Sequence, residues 1–165
     1  MRHVVPVLLL VMLWVVPGLA AAPSDTPLTG SKEPIEITSD RLDADDNARL
    51  MMFIGNAVAK QGDATIYADR LTVRYAAQGG DVDRVVAEGN VRIVQGDRVA
   101  TSERADFFRD QERILLTGDP QVTEKGSTVK GHQITLFMKE RRAVVQASRS
   151  GRVNAVFQPR KENGH

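Results

Sequence analysis

Apolar side chains recur at every second position through most of the chain: Leu71, Val73 and Tyr75, then Val91 and Ile93, Ile114 and Leu116, and Ile134 and Leu136. A period of two marks strands with one buried face, because successive side chains of an extended backbone point to opposite sides. Gly with Asn or Asp separates these runs and supplies the positive φ angles that tight turns and bulges need. The pattern predicts an all-β, antiparallel fold built from short strands. The stretch most compatible with helix, residues 102–110, copies residues 68–76, whose Thr72-Val73-Arg74-Tyr75 reads as strand. It is assigned to strand on that ground.

The alternation is organised in repeats. Ile54-Gly55-Asn56-Ala57-Val58-Ala59-Lys60-Gln61-Gly62-Asp63 aligns with Glu88-Gly89-Asn90-Val91-Arg92-Ile93-Val94-Gln95-Gly96-Asp97, and a third copy runs from Thr117-Gly118-Asp119-Pro120 to Gly126. A fourth is expected to start at Gly151-Arg152-Val153. A second signature is interleaved: Ser39-Asp40-Arg41-Leu42, Ala68-Asp69-Arg70-Leu71, Ser102-Glu103-Arg104-Ala105 and, more weakly, Gly131-His132-Gln133-Ile134. Repeats about 30 residues long imply stacked units, none of which buries its apolar face alone. Two to four short strands per unit, stacked along an axis, predict a twisted, partly open roll with an apolar trough inside. Pro120 cannot donate to a ladder and so suits an edge or a strand start.

The ends differ from this body. Met1, Arg2 and His3 lead into an apolar stretch over residues 4–16, followed by Pro17-Gly18 and by Ala20, Ala21 and Ala22. Basic, apolar, small is the order of a secretory signal peptide, and the stretch is too short for a spanning helix, which needs about 20 apolar residues. Residues 1–22 are read as a cleaved signal, with cleavage after Ala20, Ala21 or Ala22, and residues 23–34, rich in turn formers, as a flexible lead-in. Residues 35–158 form the expected domain, and 159–165 a basic tail. The chain has no cysteine, which excludes a disulfide framework and a thiolate zinc site, so stability must come from a core. With 22 Lys and Arg against 21 Asp and Glu, and Arg2 lost with the signal, the charge is near balance. That gives no general attraction to nucleic acid. The end of the chain is more basic: from residue 139 on, Lys139, Arg141, Arg142, Arg149, Arg152, Arg160 and Lys161 stand against Glu140 and Glu162. They form either a solvated edge or a contact for phosphates or an acidic partner.

Catalytic chemistry finds little to work with. The histidines are His3, His132 and His165, too scattered for a triad or a His-rich metal site. Asp43-Ala44-Asp45-Asp46-Asn47 resembles the start of a calcium loop, but Ala48 stands where such a loop needs Gly and Ile54 where it needs a bidentate Glu. A turn is expected there. The acid-Arg pairs at 40 and 41, 69 and 70, and 103 and 104 recur at the repeat period, which assigns them a structural role, since an active site occurs once while a scaffold feature occurs in every unit. No catalytic residue, metal or cofactor is expected.

Ile37-Thr38-Ser39-Asp40-Arg41-Leu42, Phe53-Ile54-Gly55-Asn56-Ala57, Tyr67-Ala68-Asp69-Arg70-Leu71 and Ala87-Glu88-Gly89-Asn90-Val91, taken in order behind a signal peptide, resemble the OstA-like family of periplasmic lipopolysaccharide transport proteins. The resemblance covers residues 35–157; the irregular third copy and the basic tail depart from it. It implies a β-jelly-roll folded as a half-open V that shields the lipid A acyl chains of lipopolysaccharide. It further implies an LptC-like inner-membrane protein as donor, an LptD-like outer-membrane protein as acceptor, self-association end to end, and an ATP-driven transporter elsewhere as the energy source. Alternation places Met51, Phe53, Leu71, Val73, Val91, Ile93, Ile114, Leu116, Ile134 and Leu136 on the inward face, and the resemblance makes that face a lipid-binding groove. Two other readings remain: an LptC-like protein of the same fold, held at the inner membrane by an uncleaved residue 4–16 segment, and a structural β-repeat adaptor with a filled interior and no lipid. Amino-terminal sequencing of the exported protein is expected to start at residue 21, 22 or 23. A start at Met1 would favour the membrane-held form.

Overall fold

The structure, a computed structural model, describes residues 33–78 and 80–159. The signal, nearly all of the lead-in and the tail beyond residue 159 lie outside the described residues. Twelve strands follow in order: β1 (Glu36–Thr38), β2 (Arg41–Asp45), β3 (Leu50–Gln61), β4 (Ala64–Tyr75), β5 (Val82–Gln95), β6 (Arg98–Phe108), β7 (Arg113–Thr117), β8 (Gln121–Glu124), β9 (Ser127–Lys130), β10 (Gln133–Phe137), β11 (Arg142–Gln146) and β12 (Asn154–Val156). All pairings are antiparallel and belong to a single sheet that does not close on itself.

The four central strands are far longer than the short strands expected, with 12, 12, 14 and 11 residues in β3, β4, β5 and β6. The reason lies in Gly55-Asn56 and Gly89-Asn90, which were expected to separate short runs as tight turns or bulges. They adopt φ angles of 81° and 46°, and of 78° and 48°, yet the strands continue through them. Two residues of the bulged strand oppose one of the neighbour: the pairing jumps from Ile54↔Arg70 to Ala57↔Ala68, and from Glu88↔Arg104 to Val91↔Ser102. A bulge of this kind bends a strand without ending it.

The bends line up across the sheet and divide it into two walls. The first comprises β2, the leading half of β3, the trailing half of β4, the leading half of β5, the trailing half of β6, then β7, β10 and β11. The second comprises β1, the complementary halves of β3 to β6, then β8, β9 and β12.

At each bend the second repeat signature meets the first. Asp40 lies over Gly55, Asp69 over Gly89 and Glu103 over Gly118, so closely that a Cβ on any of these glycines would collide with the carboxylate side chain. The Asn56 and Asn90 amides donate to Asp40 Oδ2 at 2.8 Å and Asp69 Oδ2 at 2.9 Å. Asn tolerates the left-handed conformation better than most residues, and its side chain holds the acid in place. At the third bend Glu103 and Asp119 replace Asp and Asn. Two acids cannot make that hydrogen bond, and Pro120 has no N–H for the ladder. The strand breaks there into β7 and β8, with Pro120 fully buried at the junction.

The expected fourth copy is not built this way. Gln133 pairs with Gln146 as Arg41 pairs with Ile54 and Arg104 with Thr117, so the glycine position of the fourth rung is taken by Ala147. Gly151 lies in a turn beyond β11, its N–H bonded to the Ser148 carbonyl at 3.2 Å. Asp45 caps the turn after β2, accepting from the Ala48 N–H at 2.9 Å, as expected of a turn in place of a calcium loop.

Gly89→Ala is expected to cost at least about 2 kcal/mol, combining left-handed strain with the collision against Asp69. Gly96→Ala, where φ is 52° with nothing within 4 Å, should cost about half as much, both read by urea unfolding.

Candidate functional site

The inward faces of both walls form a ladder of apolar rungs. On the first wall Leu42, Phe53, Leu71, Ala87, Ala105, Leu116, Ile134 and Val145 stand directly opposite one another, strand by strand. The next rung outward is Ala44, Met51, Val73, Val85, Phe107, Ile114, Leu136 and Ala143. On the second wall the corresponding rung is Ile37, Ala59, Ile66, Ile93, Ala100, Val122, Val129 and Ala155. All ten residues expected to face inward do so: nine lie on these rungs, and Val91 lies beside the bend.

Seven of those ten, Leu71, Val73, Val91, Ile93, Ile114, Leu116 and Ile134, are buried; Met51, Phe53 and Leu136 are half-buried. Side chains from both walls meet in one cluster, which includes Ile66, Val91 and Ile93 from one and Leu71, Phe107 and Leu116 from the other. Complete burial of each such side chain contributes roughly 2 kcal/mol, so the inner end of the V is ordinary core. Ala57, Ala68, Ala87 and Ala105, all buried, flank the bends. Their small side chains let the walls converge there.

The walls part toward the rim. Between the halves nearer the C-terminus lies a cleft of about 520 Å³, floored by Ile93, Ala100 and Val122 from one wall and by Ile114, Leu136, Met138 and Ala143 from the other. Of the ten predicted residues, Ile93, Ile114 and Leu136 line it. Ala100, Val122, Met138 and Ala143 were missed, although the repeat register could have found Val122, which stands four residues after Gly118 as Ile93 stands four after Gly89. The mouth is polar. Asp63, Asp97, Arg98, Glu124 and Lys125 edge the second wall, with Arg98 bonded to Glu124 at 3.1 Å. Such an exposed pair is worth about 0.5 kcal/mol and lies within one wall, joining β6 to β8.

The outer face of the first wall carries a charged network. The Asp106 side chain is only 5% exposed and accepts a bidentate pair of bonds from Arg104, at 2.7 and 2.9 Å, and a further bond from Arg84. Arg104 also bonds Glu88. Burial pushes the Asp106 carboxyl up, but the hydrogen bonds and charges of Arg104 and Arg84 more than reverse this and hold it below the ordinary carboxylate value. This group ties β5 to β6 across the outer side of the wall and holds their inner rungs in register.

An unclosed antiparallel roll with an apolar trough is a β-jelly-roll. Its architecture matches the crystal structure of LptH, described as the LptA-homologous periplasmic component of a lipopolysaccharide transport device from Pseudomonas aeruginosa. The TM-score is 0.71 at 20% identity, over 83% of this chain and 100% of that one. In sequence, residues 36–142 match the family described as LptA/(LptD N-terminal domain) LPS transport protein, and the chain belongs to that family. Relatives include the lipopolysaccharide export system protein LptA of Escherichia coli K12, 27% identical over 154 residues, covering 86% of this chain and 80% of that one. LptH of Pseudomonas aeruginosa is 24% identical over 158 residues, 86% of either chain. An uncharacterised protein of Rhizobium meliloti is 33% identical over 135 residues, covering 77% of this chain and 72% of the relative.

Asp106→Asn is expected to destabilise the fold by about 3 kcal/mol at neutral pH, because it leaves two arginines facing a neutral group. Since the folded Asp106 pKa is depressed, its stabilisation is complete above the unfolded value near 4 and is lost as pH falls below it. Urea unfolding at pH 7 and pH 3 should show the gap between wild type and variant shrinking at the lower pH.

Proposed function

We propose that this protein works in the periplasm, after cleavage of its signal, as a non-enzymatic carrier that shields the acyl chains of lipopolysaccharide in the trough and bridges the inner and outer membranes. The observation that carries the reading is the cleft: an apolar floor of two converging walls, open to water along one side and continuous with the buried core. Each acyl methylene exposed to water costs about 0.8 kcal/mol, so a chain of a dozen carbons costs on the order of 10 kcal/mol. An apolar lane open along its length removes that cost while the sugars stay in water. Successive rungs present similar apolar surface, so no section of the path holds the lipid much more tightly than the next. Lipid pushed from behind can slide.

The same geometry supports contact between copies. β1 and β2 at one end, and β11 and β12 at the other, each have an unpaired edge. Exposed apolar residues accompany them: Ile35 and Leu42 at the first end, Val153, Val156 and Phe157 at the second. Ordinary proteins blunt such edges. Here strand addition would extend both walls and the trough from one copy to the next. An LptC-like donor and an LptD-like acceptor would dock by the same edge pairing.

Photo-crosslinking in living cells tests the trough. A probe at Ile93, on the cleft floor, is expected to capture lipopolysaccharide. A probe at Arg92, on the outer face beside the Tyr67 ring, is expected to capture none. Absence of lipid adducts at Ile93 in a folded, exported protein would instead support the filled adaptor.

A further inference from the structure

We propose that the rim of the first wall is a phosphate-binding lip, where Arg113 and Arg142 grip phosphate groups on the sugar headgroup of the lipid whose acyl chains lie in the adjoining cleft. The inference rests on the trough reading and deepens it.

The outermost rung of that wall's outer face runs Leu50, Arg74, Arg84, Phe108, Arg113, Phe137 and Arg142 in direct cross-strand register. Arginine and phenylalanine alternate along its second half. Arg84 and Arg113 stack on the Phe108 ring at 4.6 and 4.4 Å from its centroid, and Arg142 stacks on Phe137 at 4.1 Å. Arg84 is also engaged by Asp106. Arg113 and Arg142 differ: among the described residues neither forms an ion pair, even with Glu112 and Glu140 in the adjoining turns.

A guanidinium laid flat on an aromatic ring is held in orientation while its N–H donors remain along its edge. That planar fork matches the oxygens of a phosphate and forms charge-assisted bonds stronger than neutral ones. Arg113 on β7 and Arg142 on β11 are two strands apart, about 10 Å at ordinary strand spacing. Such a spacing suits two phosphates carried at opposite ends of a disaccharide.

Position decides what the fork would meet. Phe137, Arg141 and Arg142 edge the mouth of the cleft, so a headgroup emerging from the floor reaches them first. The opposite edge carries Asp63, Asp97 and Glu124 together with Arg98 and Lys125, Arg98 being tied to Glu124. An anionic headgroup therefore meets more net positive charge at the Arg141 and Arg142 lip than at the mixed-charge lip opposite, which favours one orientation of the lipid across the trough.

The test uses the purified mature chain with the photoprobe at Ile93, presented with bis-phosphorylated lipid A and with the same lipid after phosphatase treatment. The wild type is expected to bind the phosphorylated form about tenfold more tightly, with the preference weakening as salt rises. Arg142→Gln, at an exposed position, and the double variant with Arg113→Gln should lose most of that preference while the Ile93 adduct with dephosphorylated lipid is unchanged. Arg142→Lys, which keeps the charge and loses the fork, should fall between. Equal binding of both lipids by wild type, or an unchanged preference in Arg142→Gln, overturns the lip and leaves the trough standing; no adduct with either lipid overturns the trough itself. Saturable binding of inorganic phosphate by a protein that does not prefer phosphorylated lipid would assign the arginines to free phosphate and also overturn the proposal.

Discussion

The whole architecture depends on one contact, the seating of a carboxylate side chain on a glycine where the sheet bends. Asp40 on Gly55, Asp69 on Gly89 and Glu103 on Gly118 are the same device repeated on every second strand of the sheet, in β3, in β5 and just after β7. At Gly55 and Gly89 the glycine and the asparagine after it are left-handed, so the strand gains one residue against its neighbour and turns away without losing the ladder, whereas at Gly118 the strand breaks into β7 and β8. Three such bends in register convert what would be a flat sheet, with one apolar face on water, into two walls whose apolar faces meet. A side chain on any of these glycines would remove the seat, and the walls would splay.

Everything functional follows from the angle so created. Near the spine the walls are close enough for alanines and the larger rung residues to pack as core, and this packing holds the fold. Toward the rim they separate, and the same alternation that filled the core now lines a cleft. The cleft floor and the core that stabilises the protein are one continuous surface. The charged groups take the outer faces and the lips, where Asp106 and its arginines brace the first wall and the two edges of the mouth differ in charge balance.

Much of this was legible in the residues. Alternation at Leu71, Val73, Val91 and Ile93 identified strands and their inward face, because side-chain direction in a strand is set by parity alone. The recurrence of the acid-Arg pairs identified them as scaffold, and Asp40, Asp69 and Glu103 are indeed scaffold. The strand lengths were not legible. Gly-Asn is a turn when the chain reverses and a bulge when it continues, and only pairing partners on both sides decide between them. The fourth copy was misplaced for a related reason: Gly151 carries the right residue at nearly the right period, but register puts Ala147 at the bend. Val122 and Ala100 escaped because an irregular third copy and a small side chain weaken the alternation, although pairing places Ala100 beside Ile93 and Val122 beside Ala100.

The sequence by itself determined the fold class, the antiparallel alternation, the repeat and the family, since each follows from local geometry or from residues in order along the chain. Tertiary structure alone decided which inward residues are core and which are cleft, because that depends on the separation of two walls. It alone also brought Arg113 beside Phe108 and Arg142 beside Phe137 on one rim. Those residues come from different strands, and only cross-strand register makes them neighbours.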